Sequence, residues 1–535
     1  MPDHTSAVPQ YTFADTLAEQ EAQLQDNSLL QQFRTTRIAR TDDPFRPHYH
    51  FYNPHGRLND PNGLCYWQDR WHLFYQAFPP EDPRPHWGHA ISDDLVHWHD
   101  LPYALCPHPE HGCWSGASLV DGDRVLAHYY GHPYGNSTAI SRDPLLLNWT
   151  KLPDIIPVPE TEPAPYRVYD PCIWKKDGVY YSLSGGTQAT GPGGRARCAN
   201  YLFRSPDLVH WEYMHPFVED DLFTPNGDDG ACPYFWPIAD QYMLLIFSHM
   251  RGGRYILGDY DTERDKLVAT DFGLFNFGAA WPGGVHAPSA CPDGQGGLIV
   301  LFNVNWGLPA PHWTAAHREI QHFGCWEGEQ IMSLPRRLSL TDGTLSMTPA
   351  GHIEALRCDH VQITDRRIPA NQDTVLEDIA GNAIELHLTI DTANAPMVAL
   401  DILRSPDKQE YTRIAFYRDR GIKPVLPDTP SSTPPNGAGT HSQIVIDTSC
   451  SSTLADVRSR PPEVAPVLLD PNEHLELRVF IDKSIVEVFV NNRQCAAVRA
   501  YPERADSTGV SLQAQGRDAR LLSLDAWHMA DIFAD

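Results

Sequence analysis

Short apolar runs separated by Gly, Pro, Asn and Asp dominate the chain from about residue 45 to residue 345. Clear examples are LCYWQDRWHLFYQAF, GVYYSLSGG, YMLLIFSHM and GLIVLFNVNW. Apolar residues almost never recur there at helical spacing, and short runs between turn-forming residues predict β-strands. The pattern therefore predicts an all-β region of about 300 residues.

A different pattern precedes this region. Residues 13–40 are rich in good helix formers, with apolar side chains at Leu17, Leu24, Leu29, Leu30 and Phe33. That composition predicts a short N-terminal helical segment within residues 1–44, broken near Asp26-Asn27. We expect this extension to pack on the main body or on a partner subunit, which makes a homo-oligomer a candidate assembly.

One phrase recurs inside the β-rich region, as SDDLVHWHDLP (92–102), SRDPLLLNWTKLP (141–153) and SPDLVHWEYMHP (205–216). Its tryptophans, Trp98, Trp149 and Trp211, are 51 and 62 residues apart, which suits one four-stranded sheet per repeat. Repeated four-stranded sheets are typical of a β-propeller. At roughly 50–60 residues per sheet, residues 45–345 predict a five-bladed β-propeller, with an irregular double sheet as the alternative.

Alternating apolar and polar residues mark a second region after about residue 350. The clearest strands are ELHLTI (385–390), MVALDIL (397–403), YTRIAFYRD (411–419) and LELRVFIDKSIVEVFV (475–490). Such alternation predicts half-buried antiparallel sheets, so we expect a β-sandwich domain over residues 350–535. The segment KPVLPDTPSSTPPNGAGTHSQ (423–443) has few apolar residues and predicts a mobile surface loop.

Composition restricts the partners and the compartment. The formal net charge of −27 disfavours nucleic acid and anionic membranes, which bind through Lys and Arg, and favours a neutral partner. The N-terminus lacks the basic and apolar regions of a secretory signal, and no run of about 18 apolar residues occurs, so we expect a cytoplasmic protein.

Eleven cysteines without a C-x-x-C pair predict reduced thiols. His48 and His50 have no third ligand nearby in sequence, so no metal site is predicted.

Two aspartates stand out as candidate catalytic carboxylates. Asp60 lies in RLNDPNGLCYW and Asp170 in YRVYDPCIWKKDGVYYSL, each followed by Pro and then by an aromatic-rich strand. The proline biases each Asp backbone towards extended geometry, which fixes where the carboxylate points. Asp-Pro is also a common way to start a plain turn. In a propeller, however, carboxylates near the start of successive blades converge on the central funnel.

The wider context of both aspartates resembles glycoside hydrolase family 32, the invertase, inulinase and levanase family. HFYNPHGRLNDPNGLCYW (50–67) resembles its nucleophile motif, CWSGAS (113–118) its fructosyl-binding segment, and YDPCIW (169–174) its R-D-P motif. LRVFIDKSIVEVFVNNRQCAAVRAYP (477–502) is similar to the signature of its β-sandwich. The resemblance implies a five-bladed propeller followed by a β-sandwich, with Asp60 as nucleophile and Asp170 as stabiliser of the transition state.

One position departs from that pattern. The family carries its general acid/base, a Glu, immediately before Cys-Pro, and the matching segment NGDDGACPYFW (226–236) has Ala231 there. The acid could have moved to Asp229, which would share a face with Ala231 if the segment is a strand. Asp228 is the next choice if the segment is a turn. Otherwise the chain is an active-site variant made to trap a ligand, or a natural relative that does not hydrolyse sugars.

The sequence therefore predicts a β-fructofuranosidase-like glycosidase with a small carbohydrate substrate and no cofactor. The resemblance assigns catalysis to Asp60 and Asp170, and the local sequence before Ala231 offers Asp229 or Asp228 as acid/base. The candidate substrate-binding residues are Asn59, Arg57, Gln76, Trp114, Ser115, Arg167 and His286. Because Arg57, Arg167 and His286 make the pocket more cationic than is usual in the family, we expect a fructo-oligosaccharide or related furanoside in place of sucrose, with fructosyl transfer as a second outcome. A catalytically silent sugar-binding protein is the alternative.

Overall fold

The computed structural model describes residues 5–534 except 162, 189–191, 220, 222, 310–328, 342, 393–394, 421–439 and 471. Helices α1 (Leu17–Gln25) and α2 (Ser28–Ala39) form the predicted N-terminal helical segment. The break between them falls where it was predicted, because the Asn27 side chain accepts hydrogen bonds from the amides of Leu29 and Leu30 and so caps α2. Helix α2 packs on the first sheet, where Arg37 pairs with Asp100.

Strands β1 to β25 make up the predicted β-rich region. The first two sheets contain β1 (Arg57–Trp67), β2 (Arg70–Phe78), β3 (His86–Ser92) and β4 (His99–Leu105), and then β5 (Gly112–Asp121), β6 (Arg124–His132), β7 (Gly135–Ser141), β8 (Thr150–Lys151) and β9 (Ile156–Pro157). The next strands are β10 (Pro171–Lys176), β11 (Val179–Ser184), β12 (Thr187–Gln188), β13 (Arg197–Cys198), β14 (Tyr201–Ser205) and β15 (Glu212–Pro216). Of these, β12 pairs with β13, and the other four form the third sheet.

The fourth and fifth sheets complete this region. They contain β16 (Val218–Glu219), β17 (Ala231–Ile238), β18 (Gln241–Ser248), β19 (Gly252–Asp261) and β20 (Lys266–Leu274), and then β21 (Val285–Pro292), β22 (Leu298–Val304), β23 (Ile331–Met332), β24 (Arg336–Thr341) and β25 (Thr344–Pro349). In the described part of the chain, β1 contacts β5, β5 contacts β10, β10 contacts β17, β17 contacts β21 and β21 contacts β1. These five strands, each at one edge of its sheet and here called the first strands, therefore form a closed ring.

The recurring tryptophan phrase occupies one place in three successive sheets. Trp98, Trp149 and Trp211 each lie directly before the fourth strand, β4, β8 or β15. In each phrase the Asp accepts hydrogen bonds from backbone amides two to five residues further on. The repeat is therefore a shared connection between the third and fourth strands, as the repeat spacing indicated.

The C-terminal region contains twelve strands in the described residues. They are β26 (Arg357–Ile368), β27 (Thr374–Ala380), β28 (Ala383–Asp391), β29 (Met397–Arg404), β30 (Thr412–Tyr417), β31 (Thr440–Asp447), β32 (Glu463–Leu469), β33 (Leu475–Asp482), β34 (Ile485–Val490), β35 (Gln494–Arg499), β36 (Gly509–Ala514) and β37 (Ala519–Met529). They form two six-stranded sheets, β26-β37-β28-β33-β34-β35 and β27-β36-β29-β30-β31-β32, and share one apolar core.

Two segments form strands although their residues are typical of turns or loops. The N-D-P-N-G run, whose residues are typical of a turn, lies inside strand β1, because bulges absorb the turn-forming residues without ending the strand. Residues 440–443, predicted as loop, begin strand β31 and pair with β32. Most of the predicted 423–443 loop lies outside the described residues.

No helix in the described ranges is both long enough and apolar enough to cross a membrane.

Candidate active site

Bulges near the start of four first strands of the described ring bring distant residues together. In β1, β5, β17 and β21, two residues face a single residue of the neighbouring strand. A bulge turns side chains away from the regular alternation of a strand. The bulged pairs are Asn59-Asp60, Trp114-Ser115, Cys232-Pro233 and His286-Ala287. The first pair supplies Asp60, and one member of each of the other three pairs contacts its carboxylate: Ser115, Cys232 and His286.

Asp60 is buried and held by several polar contacts. Its Oδ2 accepts hydrogen bonds from Ser115 Oγ at 2.6 Å and Gln76 Nε2 at 3.1 Å, with Cys232 Sγ at 3.7 Å. Its Oδ1 lies 3.5 Å from His286 Nδ1. Burial alone would raise the pKa of Asp60, but the contact with His286 and the hydrogen bond from Ser115 outweigh it and hold the pKa below its ordinary value. Asp60 is therefore ionised at neutral pH, as a nucleophile must be.

A chain of side-chain amides fixes the bulge that carries Asp60. Gln76 faces the bulge on β2, and its Oε1 accepts from Asn59 Nδ2 at 3.0 Å. Asn59 Oδ1 in turn accepts from Asn303 Nδ2 at 3.1 Å and Gln330 Nε2 at 2.8 Å. All four amides are buried. The predicted residues Asn59, Gln76 and Ser115 are thus brought to Asp60.

Asp170 lies beside Asp60 in an opposite electrostatic setting. It directly precedes β10, and its Oδ2 is 3.3 Å from the backbone nitrogen and 3.5 Å from the sulfur of Cys232. Burial, together with the nearby charge of Asp60, raises the pKa of Asp170 to about 6. Cys232 is in contact with both carboxylates, and the burial and negative charge around it raise the pKa of its thiol.

The side chain at position 231 is apolar, and it lies among apolar neighbours. Ala231 is the first residue of β17, faces Phe247 on β18, and is buried with Cys232, Phe247 and Ala287. The argument from strand alternation, which placed Asp229 on the same face as position 231, is wrong because the strand begins only at Ala231.

The two candidate acids before β17 have different partners. Asp229 Oδ2 lies 2.5 Å from His249 Nδ1, and its Oδ1 accepts from the backbone N–H of His249 at 3.3 Å. Asp228 is fully buried, with Arg251 and Arg254 each at 2.5 Å and with Ser248 Oγ at 2.8 Å. Within the described residues no hydrogen bond or ion pair joins Asp228 to Asp60 or Asp170.

The remaining predicted residues lie in segments near Asp60 and Asp170, at different depths. Arg57 is buried at the start of β1, and its carbonyl accepts from Asn53 Nδ2 at 2.9 Å. Trp114 is half-buried next to Ser115. Arg167 is exposed three residues before Asp170, and no hydrogen bond or ion pair in the described ranges joins it to either carboxylate.

Sequence reasoning missed four residues of this site: Cys232, His249, Asn303 and Gln330. Asn303 lies within the apolar strand GLIVLFNVNW, and a polar residue in such a run signals a buried role. His249 directly follows the strand YMLLIFS, where functional side chains are often found at strand ends. Cys232 and Gln330 gave no signal beyond their neighbours. In the part of the chain that the structure describes, no group of three or more His, Cys, Asp and Glu is arranged to hold a metal ion.

Two family profiles match consecutive parts of the chain. The N-terminal domain of glycosyl hydrolases family 32 matches residues 50–349, and the C-terminal domain of the same family matches residues 352–528.

Characterised relatives span nearly the same length. Sucrose-6-phosphate hydrolase of Escherichia coli is 28% identical over 502 residues, covering 87% of this chain and 91% of that protein. Fructan 6-exohydrolase of Beta vulgaris is 25% identical over 566 residues, covering 91% and 87%. Among solved structures, fructan 1-exohydrolase IIa of Cichorium intybus aligns with a TM-score of 0.75 at 20% identity, covering 91% of this chain and 98% of that one. Sucrose-6-phosphate hydrolase of Lactobacillus gasseri aligns with a TM-score of 0.72 at 22% identity, covering 95% and 98%. These structures share the fold.

Proposed function

Because the chain belongs to glycoside hydrolase family 32, and is thus a glycosidase that acts on β-fructofuranosides, we propose that it works by a double displacement that retains the anomeric configuration. The observation that carries this proposal is the ionised, buried carboxylate of Asp60 beside Asp170, whose pKa is raised to about 6. Asp60 attacks the anomeric carbon and forms a fructosyl-enzyme ester. Water then cleaves the ester, and a sugar hydroxyl in its place gives fructosyl transfer.

Asp170 is proposed to stabilise the oxocarbenium-like transition state. Above about pH 6 its carboxylate is ionised and accepts hydrogen bonds from sugar hydroxyls, which strengthen as positive charge develops on the ring. The half-buried Trp114, beside Ser115, offers an apolar face to the fructosyl unit. The closed ring of sheets that holds these groups is proposed to be the five-bladed propeller of the family.

The leaving group needs a proton, and Ala231 cannot supply it. The ion pairs of the fully buried Asp228 to Arg251 and Arg254 weigh against that residue as the donor. The proton is therefore proposed to come from the side of the site where Asp229 is hydrogen-bonded to His249.

The substrate is proposed to be a fructo-oligosaccharide or related β-fructofuranoside other than sucrose. Support comes from His286 beside the nucleophile and from Arg57 and Arg167 in the segments next to Asp60 and Asp170. Characterised relatives include enzymes named for sucrose 6-phosphate and for fructan, so the family spans both phosphorylated and oligomeric substrates.

Replacement of the nucleophile tests the proposed mechanism. Asp60→Asn should lower turnover of every fructoside by roughly 10³-fold or more, because the ester to the enzyme no longer forms. The measurement is kcat/KM of wild type and variant on sucrose, inulin-type and levan-type oligosaccharides, with Asp123→Asn on an exposed turn as control. Full activity of Asp60→Asn would overturn the mechanism, and a wild-type preference for sucrose over all the others would overturn the substrate.

A catalytically silent sugar-binding protein is the second candidate, and Ala231 is the observation that favours it. Such a protein would bind fructosides with equal affinity as wild type and as Asp60→Asn, and would release no fructose in either form. The same assay with a binding measurement therefore separates the two functions.

Three earlier predictions stay predictions: the cytoplasm as compartment, a homo-oligomeric assembly, and domain limits at 1–44, 45–345 and 350–535. The ten cysteines of the described residues are all free thiols, which supports a reducing compartment.

A further inference from the structure

His249 lies near position 231, where the family carries its acid and this sequence has alanine. It follows the last residue of β18, two positions beyond Phe247, which is the partner of Ala231 across the β17–β18 pair. We infer that His249, oriented by Asp229, is the proton donor to the leaving group and the base of the second step. This inference rests on the proposed glycosidase function with Asp60 as nucleophile.

A short series of contacts places His249 near the nucleophile. The ring of His286, whose Nδ1 is 3.5 Å from Asp60 Oδ1, lies 3.9 Å from the ring of Phe247 between centroids. The His249 ring is 4.7 Å from the same phenyl ring and 6.3 Å from that of His286. His249 and Asp60 are thus both neighbours of His286, one through the ring–ring contact and the other through Nδ1.

Asp229 fixes both the position and the tautomer of His249. Its two oxygens accept hydrogen bonds from the backbone N–H at 3.3 Å and from the ring Nδ1–H at 2.5 Å. A carboxylate at Nδ1 holds the imidazole so that Nε2 faces outward, as in the histidine of an acid–base pair. Nε2 has no hydrogen-bond partner among the residues that the structure describes. The His249 side chain is 63% exposed, whereas Asp60 is buried, so His249 lies at the open side where a leaving sugar departs.

The surrounding charges keep His249 protonated. Burial alone would lower its pKa, but Asp229, followed by Asp170 and Asp60, raises the pKa of His249 to about 9. His286 on β21 is the neighbouring histidine, and burial lowers its pKa, so it adds no positive charge beside His249 at pH 7. Arg251, two residues further on, is paired with Asp228. An imidazolium with a free N–H is therefore available at neutral pH.

The reaction balances with these groups alone. In the first step the glycosidic C–O bond breaks, a bond forms from Asp60 to the anomeric carbon, and the Nε2 proton of His249 moves to the departing oxygen. The first sugar leaves as a neutral alcohol and His249 is left neutral. In the second step His249 takes a proton from water as the water oxygen attacks the anomeric carbon, and Asp60 is released as a carboxylate. Asp229 stays ionised throughout and acts as a positioning residue.

The leaving group distinguishes a proton donor from a structural residue. His249→Gln should lower kcat/KM on an oligofructoside by about 10²- to 10⁴-fold, the usual contribution of general acid–base catalysis. With 4-nitrophenyl β-fructofuranoside, whose phenolate leaves without a proton, the formation of the fructosyl-enzyme should slow by less than about tenfold. The control is His210→Gln, because His210 Nδ1 lies 2.7 Å from Asp207 in a similar exposed pair away from the site.

The pH profile tests the role of Asp229. The basic limb of the pH profile of kcat/KM reports the pKa of the essential acid in the free enzyme. Because Asp229 raises the pKa of His249, Asp229→Asn should move that limb to lower pH and leave the acid limb in place. A basic limb that does not move in Asp229→Asn, or an equal loss of His249→Gln on both substrates with wild-type thermal stability, overturns the inference. If His249→Gln does not fold, the Asp229→Asn profile decides alone.

The outcome separates this inference from the proposed function. Full activity of Asp60→Asn refutes the function whatever His249 does. A second outcome is that Asp60→Asn and Asp229→Asn both lose turnover while His249→Gln keeps it. That result would assign the proton to Asp229 and refute only the role of His249. A further variant, Ala231→Glu combined with His249→Gln, should recover activity on oligofructosides if a carboxylic acid at position 231 can replace the histidine.

Discussion

Asp60 and Asp170 are neighbouring aspartates with opposite electrostatic settings, and the cause is their hydrogen-bond donors. Asp60 accepts a hydrogen bond from the Ser115 hydroxyl and contacts His286, and both stabilise its charge. Asp170 receives two long contacts, both from Cys232, and faces the charge of Asp60. Identical side chains therefore acquire different chemistry from the residues placed around them.

The role of His286 can be tested by the acid limb of the pH profile. Because the contact with His286 lowers the pKa of Asp60, His286→Ala should raise that pKa and move the acid limb of kcat/KM to higher pH. His286→Asn, which keeps a donor, should move it less. An unchanged acid limb in His286→Ala would show that the 3.5 Å contact does not stabilise the carboxylate.

Among single residues, those that lie in a recognisable motif were the ones that the sequence predicted best. Asp60, Ser115 and Gln76 meet in one network. The sequence could not place Asp228, because the two arginines that pair with its carboxylate, the exposed Arg251 and the buried Arg254, lie 23 and 26 residues further on in the chain. It also could not single out His249, whose function depends on a contact to Asp229 across a strand pair.

Strands that begin with a bulge are the elements on which this site is built. Each bulge lies in the first strand of a sheet, and the four bulged pairs supply Asp60, Ser115, Cys232 and His286. A regular strand would send alternate residues to opposite faces. The bulges allow residues from four sheets to converge on one carboxylate.

The bulge of β5 depends on a residue without a side chain. A Cβ at Gly116 would lie 2.1 Å from the His128 carbonyl oxygen, so Gly116→Ala must push β5 away from β6. Ser115 would then lose its bond to Asp60. We expect a loss of about 1–3 kcal/mol in the free energy of unfolding together with a fall in kcat/KM, measured by urea unfolding and fructoside turnover.

Gly122→Ala, in the open turn between the same two strands, is the matched control. Its positive φ of 66° makes alanine unfavourable there, so it should cost stability while kcat/KM stays at the wild-type value. Unchanged kcat/KM in Gly116→Ala would contradict the proposed importance of the bulge.

The elements were predicted well where local chemistry decides them. The cap at Asn27 and the aspartate of each tryptophan phrase act within a few residues. Bulges were not predicted, because N-D-P-N-G has the residues of a turn and only pairing with β2 keeps it in a strand.

A buried group of four charges joins the ring of sheets to the C-terminal sheets. Asp482 of β33 accepts from His50 Nδ1 at 2.8 Å and from the amides of residues 48–50. Glu487 of β34 lies 3.5 Å from His50 Nε2 and 3.2 Å from Arg336 of β24. All four side chains are fully buried, and the two charges of each sign balance. The family-like run FIDKSIVEVFV thus supplies the carboxylates of a junction.

The junction makes stability depend on pH. Although burial opposes it, bonding to Asp482 and Glu487 raises the pKa of His50. The resulting stability is fully present below about pH 6.5, the unfolded value, and is lost as pH rises through the folded pKa. We expect the Tm of the wild type to fall over that window and the Tm of His50→Gln to fall less.

His360→Gln, at an exposed pair with Asp525, is the control and should follow the wild type. Parallel Tm curves for wild type and His50→Gln would refute the linkage. On the acid side, bonding to His50 lowers the pKa of Asp482 despite its burial, so that its contribution is present above about pH 3.9 and lost as pH falls through the folded pKa.

The amide chain from Gln330 to Asn59 also determines when the site can assemble during translation. A nascent chain that has passed residue 249 already carries Asp60, Asp170, Asp229 and His249. The amides that hold the Asp60 bulge, on Asn303 and Gln330, follow later, as does β21, which closes the ring against β1. A truncated product that ends between His249 and β21 would hold every group of the proposed chemistry without the frame that orients them. Activity should therefore appear late during translation, when the last of these amides leaves the ribosome.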